Sequence, residues 1–308
     1  MTGSGQSTLT PHSDPAHDIA LLWWVMFGVA CVGFAIVAVL LLLGWVRRHR
    51  ETLPFGGDER AATRLVVGLG IATPIVLLSA LFIWSDVFVI RSTAAPNPNS
   101  TQLTVHVVGH QWFWDIRYGD APGSTANELH IPVRTRVNVI GTTADVIHSL
   151  WVPELNRKMD LIPGRTNRLL LYADRAGTYR GQCAEFCGLQ HAHMELTVIA
   201  QPRAAFEQWL RTQGEPASAA QVPQVFQEKG CANCHAIRGT DAESRVGPDL
   251  THVASRRTLA AGAIPNDRGH LREFIRDPQA VKPGSKMPQV PQTRAETDAL
   301  VRYLERLK

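Results

Sequence analysis

Two long apolar stretches dominate the first ninety positions of this 308-residue chain. One runs from Ala20 to Val46 without a charge; the other runs from Leu65 to Ile90, broken only by Pro74 and by Asp86 near its end. Crossing a bilayer takes about 20 apolar residues in helical form. Each run suffices, and together they predict a two-helix transmembrane hairpin within 20–90, with helices over about 20–46 and 65–90. Trp23, Trp24, Trp45 and Trp84 sit near the ends, where aromatic rings settle at the membrane interface. The connecting loop carries Arg47, Arg48, Arg50, Arg60 and Arg64, and an excess of basic residues marks a loop as cytoplasmic. Residues 1–19 and everything after Ile90 are then expected on the extracytoplasmic (periplasmic) side of a bacterial cytoplasmic (inner) membrane. The first run lacks a basic flank before it and is too long for a cleaved signal. Pro74 removes a backbone donor and predicts a kink. Cys31, inside the first run, reads as a small residue packed in a helix.

Beyond Ile90 the composition is that of a soluble protein. The formal net charge of +4 is too small and too dispersed to argue for nucleic acid. Residues 216–308 hold fourteen Lys/Arg against ten Asp/Glu, a mildly basic surface. Ala94 to Ser100 has linker composition. Strand-like alternation then recurs at Leu103–Val108, Glu128–Pro132, Arg136–Ile140, Arg168–Tyr172 and Met194–Ala200. Short strands separated by turn signals predict an all-β sandwich or barrel. Arg211–Gln221 reads as a flexible polar linker.

Residues 183–194 read Cys-Ala-Glu-Phe-Cys-Gly-Leu-Gln-His-Ala-His-Met. Thiolate, imidazole and thioether donors at this density suit copper better than a hard cation. Two thiolates exceed what a single blue-copper ion uses; they suit two copper ions bridged by both sulfurs, with a second imidazole from elsewhere. His106, His110 and His148 are the upstream candidates. His148, at a turn-prone strand end before Ser-Leu-Trp-Val-Pro, is favoured.

This segment resembles the dinuclear copper (CuA) domain of cytochrome c oxidase subunit II, a cupredoxin-like barrel behind a membrane hairpin. The resemblance implies copper ligation by His148, Cys183, Cys187, His191 and Met194 and by the backbone carbonyl of Glu185. It also implies a magnesium ion held by the Glu185 side chain at the interface with subunit I. His193 is not a ligand in the family pattern. Gly109-His-Gln-Trp-Phe-Trp-Asp matches the family's aromatic stretch, which implies electron entry at Trp112. Two features depart from the family. Asp115–Gly123 holds Arg117 and few acids where many members receive a basic cytochrome, and no acid lies at Leu65–Gly68, where many members carry a glutamate.

Cys231-Ala-Asn-Cys234-His235 is a c-type haem attachment motif, preceded by a short helix from Gln224. Met287, in Gly-Ser-Lys-Met-Pro, is the expected sixth ligand, with His252 and His270 as rivals. The motif, the Lys-Met-Pro context and Gly247-Pro-Asp-Leu resemble class I cytochrome c. That resemblance implies haem thioethers at Cys231 and Cys234, axial His235 and Met287, and a Pro248 carbonyl that receives the proximal imidazole's hydrogen bond. Thr297–Lys308 reads as an amphipathic terminal helix, with Leu300, Val301, Leu304 and Leu307 on one stripe.

The expected architecture is therefore a multidomain membrane protein: the hairpin, an all-β cupredoxin-like CuA domain over 94–212, and an all-α class I cytochrome c domain over 220–308. The resemblance implies subunit II of a caa3-type haem-copper terminal oxidase. Electrons received at haem c would pass through CuA to subunit I, where dioxygen is reduced to water. Its expected partners are subunits I and III, an external cytochrome c or other donor, and membrane lipid. The alternatives are the electron-entry subunit of a CuA-containing nitric oxide reductase and a stand-alone membrane-anchored electron-transfer protein. A quinol oxidase subunit is disfavoured, because that branch lacks the copper ligands.

Overall fold

The computed structural model describes residues 6–47, 59–119, 121, 123–219 and 221–308. Arg48 and Arg50 of the expected basic loop, and Asp120 and Pro122 of the thinly acidic stretch, lie outside the described residues. Two compact units are present: residues 17–93, and residues 1–16 together with 94–308.

The first unit is the hairpin. Helices Asp14–Val46 and Glu59–Thr93 are each long and apolar enough to cross a membrane. Both extend past the apolar runs, because helix propensity continues through the flanking polar residues. At Pro74 the helix relaxes one turn earlier, in a π-helical stretch Gly68–Ala72. The backbone N–H of Thr73 and its hydroxyl (2.9 Å) both bond the Gly68 carbonyl. A π turn of this kind is a recognised way to absorb a broken hydrogen-bond ladder.

The second unit begins with a β-sandwich. One sheet has the order β3-β2-β1-β5-β8 and the other β4-β10-β9-β6-β7. The strands are β1 (Leu103–His110), β2 (Phe113–Tyr118), β3 (Ser124–Ala126), β4 (Glu128–Pro132), β5 (Val137–Thr143), β6 (His148–Trp151), β7 (Met159–Leu161), β8 (Asn167–Leu171), β9 (Gly177–Cys183) and β10 (Glu195–Gln201). β1–β5 and β10–β4 pair in parallel, and the other ladders are antiparallel. Alternate residues face the core, as the two-residue period of a strand requires. Val105 and Val107 of β1, Trp114 and Ile116 of β2, and Leu196 and Val198 of β10 are all buried. Met159 belongs to this core: a Cβ built on Gly141 would lie 2.6 Å from its Cε.

The segment before the first helix is strapped to this sandwich. His12 donates its backbone N–H to the Glu154 carbonyl (2.8 Å), and the Asp174 N–H returns to the His12 carbonyl (2.9 Å). Ser13 Oγ donates to the Leu155 carbonyl and accepts the Ala16 N–H (3.1 Å), capping the helix start.

Helix Arg203–Gly214 follows the sandwich. The cytochrome domain is then helical, with Gln224–Glu228, Arg268–Arg276, Pro278–Val281 and Arg294–Leu304 around a core of Phe226, Ile237, Leu300, Val301 and Leu304. The terminal helix starts earlier than the apolar stripe indicates, because Thr293 and Glu296 form a capping box.

The expected flexible linker is corrected here. Arg211–Gly214 completes a helix, and Ala217 and Ala219 are buried in the cytochrome core. The Ala217 N–H donates to the Arg238 carbonyl (2.9 Å), and the Tyr303 hydroxyl donates to the Ala219 carbonyl (3.2 Å). The segment reads as polar, yet its small apolar side chains and backbone groups find partners that a flexible tether lacks.

Candidate functional site

β9 ends at Cys183, and the loop to β10 carries the rest of the cluster. His148 starts β6, whose residues Leu150 and Trp151 pair with Cys183 and Gln182. Strand pairing thus brings a histidine 35 positions upstream to the first cysteine. Cys183 Sγ and Cys187 Sγ stand 3.7 Å apart, well beyond the roughly 2.05 Å of a disulfide. His148 Nδ1 lies 3.8 Å from Cys183 Sγ, and His191 Nδ1 lies 3.7 Å from Cys187 Sγ. Met194 Sδ is 4.0 Å from Cys187 Sγ, and the Glu185 carbonyl is 3.2 Å from Cys183 Sγ. The six predicted ligands are linked by these neighbouring contacts, each cysteine sulfur with its own imidazole.

The rivals are placed elsewhere. His106 is exposed, because the β1 pleat turns it away from the core. His110 stacks on Phe113 at 4.4 Å and lines a different cavity. His193 is exposed and sits 3.1 Å from the Gln190 side-chain oxygen.

The contact with Cys187 holds the Cys183 thiol well below its usual range, and the same contact, with burial, pushes Cys187 up. The fully buried His148 is pushed down by burial but raised on balance by Cys183 and Asp145. Asp145 was not singled out by sequence. Its carboxylate sits 2.9 Å from His148 Nε2 and accepts the Gln111 and Val146 N–H groups, each at 2.8 Å. A carboxylate on the far nitrogen fixes the tautomer and ring direction of a metal-binding imidazole. No composition signal marks it; only its position three residues before His148 is a clue.

Gly109 permits the His148 position. A Cβ there would sit 2.9 Å from the ring's Cδ2. Gly109→Ala is expected to tilt the imidazole and weaken copper binding by about tenfold or more, the scale of losing an orienting contact. Copper titration of the purified variant checks this, and unchanged affinity refutes it.

The second constellation surrounds a cavity of about 220 Å³. Cys231, Cys234, His235, Pro248 and Met287 all line it, with apolar neighbours including Leu250, Val253, Leu259 and Phe274. His235 Nδ1 donates to the Pro248 carbonyl (2.8 Å), and burial lowers the imidazole's pKa. With Nδ1 committed to this carbonyl, Nε2 is the nitrogen left to act as a donor atom. Gly247 leaves room for it, since a Cβ would lie 2.8 Å from Cε1. His252 is instead buried 3.2 Å from the Glu215 carbonyl, and His270 pairs with Asp267 at 2.6 Å on an exposed helix. Neither lines the cavity.

Trp112 connects the two constellations. It is only 8% exposed, its indole N–H donates to the Cys187 carbonyl (3.0 Å), and its ring lines the 220 Å³ cavity. Gln111 Nε2 donates to the same carbonyl (2.8 Å). On the far side, a Cβ on Gly284 would be 3.7 Å from the ring.

Acidic groups of the sandwich meet basic residues of the cytochrome domain at several points. Asp145 meets Lys286 at 3.7 Å, and Glu128 accepts the Arg257 N–H at 2.5 Å. Arg256, pushed down by burial, is drawn up by Asp249, Glu128 and Asp115.

A family model described as cytochrome c oxidase subunit II, periplasmic domain, matches residues 123–201. One described as cytochrome c matches residues 219–308. Cytochrome c oxidase subunit 2 of Alkalihalophilus pseudofirmus is 38% identical over 222 residues, covering 69% of this chain and 64% of that protein. The same-named protein of Bacillus sp. (strain PS3) is 30% identical over 257 residues, covering 76% and 72%. The chain thus spans just under two thirds of the first relative and just over two thirds of the second. The crystal structure of the periplasmic domain of subunit II of cytochrome oxidase from Bradyrhizobium japonicum is 31% identical, with a TM-score of 0.37, covering 39% of this chain and 96% of that one.

Proposed function

The chain belongs to the cytochrome c oxidase subunit II family and carries a C-terminal cytochrome c domain, and on that footing we propose that it is the electron-entry subunit of a caa3-type oxidase. The observation that carries this reading is convergence. Two thiols, two imidazoles, a thioether and a carbonyl meet within 4.0 Å of neighbouring donors, and one tryptophan spans from that cluster to the cytochrome cavity.

The donor set fits a copper pair. Cys183, Cys187, His148, His191, Met194 and the Glu185 carbonyl would hold it. Soft sulfur with imidazole is the combination copper favours. The cavity fits a covalent haem: Cys231 and Cys234 would anchor it through thioethers, and His235 and Met287 would supply the donors to its iron. His/Met ligation favours a high potential. Once bound, these groups would supply one-electron redox chemistry, and the chain would receive electrons from an external donor at the haem c domain and pass them through the CuA domain towards subunit I, for reduction of dioxygen to water.

The chain's own residues hold and orient. Asp145 directs His148, Pro248 directs His235, and Trp112 lies between the two constellations with a polarizable ring. The Glu185 side chain is proposed to hold magnesium against subunit I, with subunit III a further partner. The two apolar helices support anchoring of the protein in the cytoplasmic membrane. The strap formed by His12 and Ser13 supports placing the N-terminus on the same, periplasmic, side as the copper domain.

Metal analysis and copurification test this. The full chain is expected to carry two coppers with a delocalised mixed-valence spectrum, one covalent haem, and a large haem-copper subunit that consumes oxygen. One copper per chain overturns the site. Copurification with a subunit that consumes nitric oxide, or with none, overturns the oxidase assignment.

A further inference from the structure

A buried lysine lies where the copper-ligand loop meets the cytochrome domain. Lys282 follows helix Pro278–Val281 and is only 3% exposed. Its Nζ donates to the carbonyl of His193 (2.8 Å), in the loop between His191 and Met194, and to the carbonyl of Ala260 (2.6 Å), in its own domain. An ammonium held out of water is costly unless hydrogen bonds and charge compensate. Burial pushes its pKa down to about 7, partly offset by the Cys187 and Glu195 charges. Two neighbouring bonds cross the same seam: Glu195 N–H to the Ala261 carbonyl (3.0 Å), and Gln190 Nε2 to the Pro283 carbonyl (2.9 Å). By contrast, Lys286 opposite Asp145 has a side chain 66% exposed, and exposed pairs contribute little.

We infer that Lys282 is the positioning residue that locks the cytochrome domain onto the copper-ligand loop, its ammonium tying the His191–Met194 turn to the segment that carries Met287. The inference deepens the two-centre reading and rests on it for its consequence. Donors at the centre of a dry seam decide its stability, while rim contacts tune it. Removing this one leaves two carbonyl oxygens without the donor between them, and losing a hydrogen bond to a charged group shifts an equilibrium by about tenfold or more.

Hydrogen exchange on the full chain, loaded with copper and haem, tests this. The Glu195 and Arg257 amides report the seam, since each donates across it, and their exchange follows the opened fraction. Lys282→Glu places a carboxylate against two carbonyls. Both amides are expected to exchange at least about tenfold faster, with copper and haem absorption unchanged, and Lys282→Arg is expected to restore protection. Wild-type exchange in a Lys282→Glu protein that retains both chromophores overturns the inference. So does loss of the copper spectrum with both amides still protected, which would make Lys282 a support of the copper loop alone. If the glutamate variant does not accumulate, Lys282→Met decides by the same amides and in the same direction. Wild-type protein lacking either chromophore would instead sink the two-centre reading, before any variant is compared.

Discussion

His148→Ala is expected to abolish the mixed-valence copper spectrum and reduce copper from two per chain to one or none, leaving haem absorption intact. The ring is fully buried and stands between Cys183 Sγ (3.8 Å) and Asp145 (2.9 Å). Alanine removes a donor from one end of the cluster and strips Asp145 of its partner. Asp145→Asn is the graded companion. It keeps a ligand at every position but weakens its orientation, so copper affinity is expected to fall by about 10–100-fold with two coppers still bound at saturation. Copper analysis and visible absorption measure both variants. Two tightly held coppers in His148→Ala would overturn the assignment and return His110 or His193 to consideration.

The double substitution Cys231→Ser with Cys234→Ser is expected to unfold the cytochrome domain while sparing the sandwich. Without thioethers no haem is held covalently, and the cavity of about 220 Å³ loses its filling. At roughly 24 cal/mol per Å³, a void of that size costs on the order of 5 kcal/mol, comparable to the roughly 5–15 kcal/mol that holds a whole domain folded. Limited proteolysis is expected to digest residues beyond about 215 and leave a resistant copper domain. A fully protease-resistant double variant with no haem would show that the helices close over the cavity unaided.

The copper loop was legible because five of its six expected donors fall within twelve consecutive residues. The sixth, His148, was favoured over His106 and His110 by its strand-end context and by resemblance, and the pleat of β1 and the pairing of β6 with β9 supply the physical reason. The haem donors were legible because Cys-x-x-Cys-His is local and Met287 is the only methionine after Gln221. Asp145 escaped notice because its role is defined by a turn. Residues 215–219 read as a tether because their letters are small and polar, while their burial is supplied by residues from Arg238 to Arg306.

Those residues determine where the chain can be divided. Arg238 reaches back to the Gln213 and Glu215 carbonyls (2.6 and 3.2 Å), and Ser218 donates to the Arg306 carbonyl (2.5 Å). A graft of this donor onto another acceptor that starts at residue 221 would leave those groups unanswered, however faithfully it copied the haem motif. The junction belongs to the cytochrome. In engineering terms it is a keyed socket, and lengthening it would loosen the module rather than extend its reach.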